Sequence, residues 1–270
     1  MIKTKGHVES HVSSILIGLG GLVIALPLLL TLYISVFDED LIVFPPRGWT
    51  LRWYGEAIAK FSATALTSLG IALAAVAGSL LIGIPCGIGL HRYRFRGRSL
   101  AFSLVTAPMI VPGVALGLSL AIFSIWLTRQ GAVDLRTSLL PLICAHILIA
   151  LPWVVRLCIA SLANYDPAAE EAAASLGAKP LRVVWHVTLP AMRPGIIAAA
   201  LFAFVVSFEN LEMTMFLLKP GVTTLPVSVL GYLSFRVDPM ISALAVLQIA
   251  FIAVTLLVVD RFFRIGRVVG

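Results

Sequence analysis

The chain has 270 residues, 60% of them hydrophobic and only 12% charged, and its mean hydropathy is +1.02. Soluble domains run near half apolar and a quarter charged, so this composition excludes a soluble globular protein and describes an integral membrane one. The formal net charge of +7 is accounted for by basic residues collecting at cytoplasmic membrane edges, and no nucleic-acid partner is expected.

A hydrocarbon layer of ~30 Å needs about 20 apolar residues per helix. Such stretches begin at 13–37, behind Lys3 and Lys5. That run is too long for the apolar part of a signal peptide, and "LYISVFDED" lacks a small-residue cleavage site, so it is expected to remain as a first transmembrane helix. The following segment, "DEDLIVFPPRGWTLRWYGEA", carries Trp49, Trp53 and Tyr54 as membrane-interface anchors or as contacts for an external protein. A second span is expected over 62–90, where Gly70, Ala74, Ala77 and Gly78 permit close helix packing and Pro85 and Gly87 punctuate the helix. The loop "HRYRFRGR", 91–98, is short and basic, with no acid.

The third span, 99–127, contains Pro108, Pro112 and Gly113; the fourth, 138–163, contains Pro141 and Pro152. Broken helices are tolerated where neighbours or a water-filled path satisfy the freed backbone groups. His146 stands alone in the fourth span and is expected to be a satisfied core group, while Arg156 lies within the same span. Cys86, Cys144 and Cys158 fall in apolar runs without metal-ligand spacing and read as small buried hydrophobes.

Residues 164–190 interrupt the apolar pattern. Asp166 can cap a helix whose first residue is Pro167. Glu170 and Glu171 near its start suit the helix dipole, and "AAEEAAASL" has strong helix propensity. Gly177 is a natural terminator because it can take the left-handed conformation. Pro180 then opens a second short helical piece, "LRVVWHVTL", expected to stop before Pro190. A helix of about ten residues is marginal alone in water, so packing must hold it. Its alanines let another backbone approach, and its glutamates can pair with a basic neighbour.

The fifth span, 191–218, carries Glu209, Asn210 and Glu212, with the two acids three apart and so expected on one helix face. Acids at membrane depth are costly and face a cavity, a path or a partner. A pair of them would attract a cationic amine, with Phe208 and Phe216 contacting its methylenes or charge. The alternative is a wet position at the outer interface, paired with Arg236. A sixth span is expected over 240–263.

Lys/Arg bias sets the orientation. Lys3, Lys5, Arg92, Arg94, Arg96, Arg98, Lys179, Arg182, Arg193, Arg261, Arg264 and Arg267 outnumber Arg47, Arg52, Lys60, Arg129, Arg136, Lys219 and Arg236 in the alternate segments. Both termini and the 164–190 loop are therefore expected in the cytoplasm. The expectation is an all-α bundle of six transmembrane helices. An N-terminal helix with its outer loop (1–61) precedes a five-helix core (62–265).

"EAAASLGAKPLRVVWHVTLP" resembles the signature loop of permease subunits of binding-protein-dependent ATP-binding-cassette importers. That pattern is Glu-Ala-Ala, three residues, Gly, nine residues, Ile, one residue, Leu-Pro. Glu171, Ala172, Ala173, Gly177, Leu189 and Pro190 match it in place, and Val187 stands for the isoleucine. "APMIVPGVALGLSLAIF" resembles the family's Pro-rich segment, and residues 207–247 resemble the corresponding region of the spermidine/putrescine branch, although Glu209-Asn210 stands where that branch has Asp followed by an acid. The resemblance implies that the loop, with Glu170 beside the motif, is a coupling helix docking onto a cassette ATPase dimer. It also implies a second permease subunit, as a heterodimer rather than a homodimer, and an extracytoplasmic solute-binding protein in a bacterial or archaeal inner membrane. No phosphate-cradling Gly-x-x-x-x-Gly-Lys-Ser/Thr run exists in the chain. ATP and Mg are therefore expected on the ATPase, with no cofactor, metal or catalytic residue on this chain. The rival readings are a secondary transporter, which would show coupling-ion acids at the midplane and inverted repeats, and an intramembrane enzyme. Neither pattern is found.

Overall fold

The computed structural model describes residues 5–131, 135, 137–163 and 165–263. Lys3, Arg136, Asn164, Arg264 and Arg267 lie outside these residues, as do the side chains of Lys5, His7 and His11. The chain is all-α, and among the described residues the β pairing is one isolated bridge, between Phe37 and Trp49.

Among the described residues four helices are long and apolar enough to cross a membrane, or up to six if each of two bent pairs is one span. Helix α1 (Lys5–Ile34) contains the first, Leu16–Ile34. Helix α2 (Arg52–Arg92) runs for 41 residues, some 60 Å at 1.5 Å per residue. It starts ten residues before the expected span because "RWYGEAIAKF" is polar enough to leave lipid and still a good helix former. The third expected span is broken. Helix α3 (Arg98–Thr106) and the 3₁₀ turn Ala107–Met109 meet α4 (Gly113–Arg129) at 101°. Pro108 and Pro112 remove two backbone donors at the break. Helix α5 (Leu140–Ala163) fills the fourth span and continues through Pro152. After the short helix α10 (Leu225–Leu233), helix α11 (Pro239–Phe263) supplies the last.

The chain divides into two compact units. One comprises Met1–Ser62 and Tyr232–Thr255. In it the segment after α1 folds back on the start of α2. The Trp53 indole donates to the Phe37 carbonyl (2.7 Å), and the Tyr54 and Ser35 hydroxyls bond at 2.7 Å. Arg52 pairs with Asp40 at 2.7 Å and Asp38 at 3.9 Å. Trp53 is thus a buried strut here, whereas Trp49 is largely exposed.

The other unit comprises Ala63–Gly231 and Leu256–Gly270. Its centre is α5, packed on α2 and on α9 (Arg193–Phe208). Apolar side chains gain little by leaving lipid for a protein interior, so close backbone approach must supply the attraction. A Cβ on Gly78 would come within 2.4 Å of Ile147, on Gly83 within 2.6 Å of Val154, and on Gly87 within 2.8 Å of Cys158. These three glycines form a seam along α2. Gly70, expected to join them, meets nothing within 4 Å.

Candidate functional site

The polar loop after α5 folds as two short helical pieces. Asp166 Oδ1 accepts from the Ala168 amide at 2.9 Å, and Pro167 precedes α6 (Ala168–Ser175). The first turn is therefore capped by the expected residue. At the other end Gly177 has φ +83°. The Ala178 amide donates to the Ala173 carbonyl and the Gly177 amide to that of Ala174, the paired closure that needs a left-handed residue.

Helix α7 (Pro180–Val183) follows, then a wide π turn over Val184–Thr188 and α8 (Leu189–Ala191). The helical path thus continues through Pro190, where sequence reasoning expected it to stop. Pro190 has no N–H to donate to a residue four back, and the ladder widens so that the Leu189 amide reaches the Val184 carbonyl. This path meets α9 at 72°.

The motif residues divide by exposure. Glu171, Ala172 and Gly177 are exposed, and Ala173 is half-buried. Leu189 and Pro190 are half-buried, Leu189 packing with Val184 against the cluster of Ile88, Val154, Cys158 and Met192. Leu189 thus anchors the loop to the bundle. Glu170 points inward too. It forms an ion pair with Arg92, and the Thr188 hydroxyl donates to its carboxylate at 2.6 Å while Arg92 donates to that hydroxyl at 2.8 Å. Glu170, expected to face an external partner, is thus paired within the chain, with Arg92 at the end of α2. Burial and the Glu170 carboxylate raise the nearby Tyr165 phenol above its ordinary pKa. Sequence reasoning missed the exposed apolar face beside the motif. Leu176 is 89% exposed, Leu181 70% and Trp185 63%. The i, i+4 spacing of Leu181 and Trp185 was the available signal.

The second candidate region lies where α9 ends. The helix stops at Phe208 with Glu209 as its C-cap, so Glu209 and Glu212 do not share a helix face as expected. Asn210 is the reason. Its side-chain oxygen accepts from the Met213 and Thr214 amides, both at 3.3 Å, and its carbonyl accepts from the Thr214 hydroxyl at 2.7 Å. These bonds start a 3₁₀ turn, Thr214–Phe216, in place of continued α-helix. His146 fastens the turn to α5. One ring nitrogen bonds Ser207 Oγ at 2.7 Å and the other Thr214 Oγ1 at 3.0 Å. The expected satisfied core histidine is found.

Phe208 is buried and stacked on Phe204, ring centroids 5.4 Å apart, so it packs the interior. Glu209 and Glu212 are both exposed. Glu212 lies over the first residue of α4: a Cβ on Gly113 would meet its carboxylate oxygen at 2.5 Å. A helix N-terminus favours a negative charge there. One turn on, a Cβ on Gly117 would come within 2.8 Å of the Met213 backbone and 2.9 Å of the Phe216 ring. Gly113 and Gly117, four apart, admit the whole 212–216 turn against α4, a pairing that was readable in "GVALG". Arg156 of α5 directs its guanidinium at the Met109 sulfur, 3.9 Å away, at the α3–α4 break. Among the described residues no group of His, Cys, Asp or Glu could hold a metal ion.

The profile of the family described as "Binding-protein-dependent transport system inner membrane component" matches residues 79–265. The chain belongs to this family. It is the permease subunit of an ATP-binding-cassette importer, a multi-pass inner-membrane transport component and not an enzyme. The permease is similar to the putrescine transport system permease protein PotI of Escherichia coli, 36% identical over 223 residues, covering 81% of this chain and 79% of that protein. It is also similar to a putative 2-aminoethylphosphonate transport system permease protein, PhnV, of Salmonella typhimurium, 30% identical with 83% of each chain covered. Among solved structures, a bacterial transporter involved in import of the acidic polysaccharide alginate shares the permease's fold. The TM-score is 0.68, at 17% identity, over 96% of this chain and 98% of that one.

Proposed function

We propose that this permease forms the membrane path for a small cationic amine of the polyamine class, driven through its 165–191 loop by a cassette ATPase dimer. The 36% identity to a putrescine permease over 81% of the chain carries the substrate class. Glu209 and Glu212 agree with it, being exposed carboxylates just beyond the end of α9, with Glu212 lying over Gly113 at the start of α4. Protonated amines are attracted by carboxylates that line a membrane path.

For the ATPase, the face made by Glu171, Ala172, Gly177, Leu176, Leu181 and Trp185 offers small residues, one acid and exposed apolar side chains. Such a surface suits a groove in a soluble partner. ATP and Mg belong to that partner. The Lys/Arg bias at 92–98 and in the loop supports a cytoplasmic side for both, together with the termini. A second permease subunit, heteromeric by family resemblance, and an extracytoplasmic binding protein complete the assembly.

The test is uptake of radiolabelled putrescine into proteoliposomes holding the complete transporter. Glu209→Gln and Glu212→Gln together are expected to lower uptake at least tenfold while leaving subunit assembly intact. Normal uptake by the double variant would remove the carboxylates from the path. Stimulation of ATP turnover by 2-aminoethylphosphonate in place of putrescine would overturn the substrate class.

A further inference from the structure

The 91–98 loop carries chemistry that transport does not use. Arg92 is occupied by Glu170. The next residues run Tyr93, Arg94, Phe95 and Arg96, all exposed, with Tyr93 at 67% and Phe95 at 49%. Residues 93–95 lie between α2 and α3, the Tyr93 amide still donating to the Gly89 carbonyl at 3.1 Å, and a turn at Arg96–Gly97 leads into α3. Aromatic residues just past the end of a membrane span suit the membrane–water boundary.

Beside the loop lies a pocket of about 370 Å³ lined by Leu90 of α2, Arg98, Ser99 and Phe102 of α3, and Ile159 of α5. Its floor is apolar. Its polar lining is Arg98 and Ser99, and Arg98 is fixed there because its Nε donates to the Leu90 carbonyl at 2.6 Å. Helix α3 has no buried residue, and its Leu100 and Leu104 are 64% and 65% exposed. The pocket thus opens beside a helix whose apolar side chains suit hydrocarbon. Among the described residues no carboxylate lies in salt-bridge reach of Arg94, Arg96 or Arg98. Arg98 in the lining, with the exposed Arg94 and Arg96 four and two residues before it and no acid paired to any of the three, complements an anionic headgroup joined to an acyl chain.

We propose that this pocket binds one anionic phospholipid, its phosphate on Arg96, Arg98 and Ser99 and the start of an acyl chain over Leu90, Phe102 and Ile159. The inference uses only the membrane insertion of the chain, not its substrate or its ATPase. Juxtamembrane basic clusters attract anionic lipid, each residue adding a several-fold preference. The pocket adds a fixed seat for one molecule.

The test is native mass spectrometry of the full chain, released from detergent after incubation with equal phosphatidylglycerol and phosphatidylcholine of matched acyl chains. One retained phosphatidylglycerol is expected, preferred about tenfold over phosphatidylcholine. Arg96→Gln with Arg98→Gln should abolish that preference, whereas Arg129→Gln at the exposed end of α4 should not change it. Ser99→Glu, an exposed substitution that leaves the Arg98–Leu90 bond in place, should expel the lipid by charge repulsion. Equal retention of both lipids, or retention unchanged in the double variant and in Ser99→Glu, would overturn the proposal. So would loss of phosphatidylglycerol on adding inorganic phosphate alone, which would mark a site for a free anion.

Discussion

Arg92 and Glu170 stand 78 positions apart in the chain and meet in an ion pair that Thr188 completes from a third segment. The three groups join the end of α2 to both pieces of the loop. Removing one partner leaves the other charge partly desolvated. Glu170→Ala should therefore destabilise the isolated permease by on the order of 1–3 kcal/mol. It should also lower the ratio of substrate-stimulated to basal ATP turnover in the complete transporter. The exchange Arg92→Glu with Glu170→Arg should recover part of both. If thermal unfolding in detergent shows no change for Glu170→Ala, the pair does not hold the loop.

Trp185 and Leu181 should behave oppositely. Both are exposed, so Trp185→Ala and Leu181→Ala should leave the melting temperature of the isolated permease within a degree or two, since exposed sites away from special features change stability by about 0.5 kcal/mol or less. The same variants should lose at least half of the ATPase that co-purifies. A full complement of ATPase on the double variant would take this face out of the docking surface.

Gly113 and Gly117 are four residues apart on one helix but face different obstacles. At Gly117 a methyl would strike the Met213 backbone, which cannot swing aside, so Gly117→Ala should cost about 1–3 kcal/mol. At Gly113 the nearest atom is the Glu212 carboxylate, the free end of a flexible side chain, so Gly113→Ala should be milder. Paired unfolding curves in the same detergent decide the order.

His146→Phe keeps the ring's bulk but leaves the Ser207 and Thr214 hydroxyls facing an apolar edge. A loss of about 1–3 kcal/mol is expected. Ser207→Ala alone should cost less, because His146 keeps its bond to Thr214. Equal stability of His146→Phe and the native chain would mean that Ser207 finds another partner, Thr214 already having the Asn210 carbonyl.

Much of this was legible beforehand, and the reasons differ by element. Helix α5 came out at 140–163 against an expected 138–163 because apolar length is what a bilayer selects. The caps of α6 were readable because Asp166 and Gly177 act through local backbone chemistry. Where α9 ends was not readable. "ENLEMTMFLL" stays apolar enough to pass as span, and hydropathy does not register that Asn210 diverts the backbone. The inward turn of Glu170 was hidden for another reason: its partner lies in a distant segment that no local pattern connects to it. Pro190 misled in the opposite sense, since a proline can be passed by widening the turn before it.

That widened turn leaves the loop one residue longer than an α-helical path between the same ends would need. Were Val184–Thr188 to tighten to ordinary α bonding, the chain before it would rotate about 100° and shift about 1.5 Å along the axis relative to the chain after it. Leu189 would stay seated in the bundle while Leu181 and Trp185 swept round to a new bearing. The segment therefore carries slack of its own, enough to re-aim its outer face by one register step without unfolding.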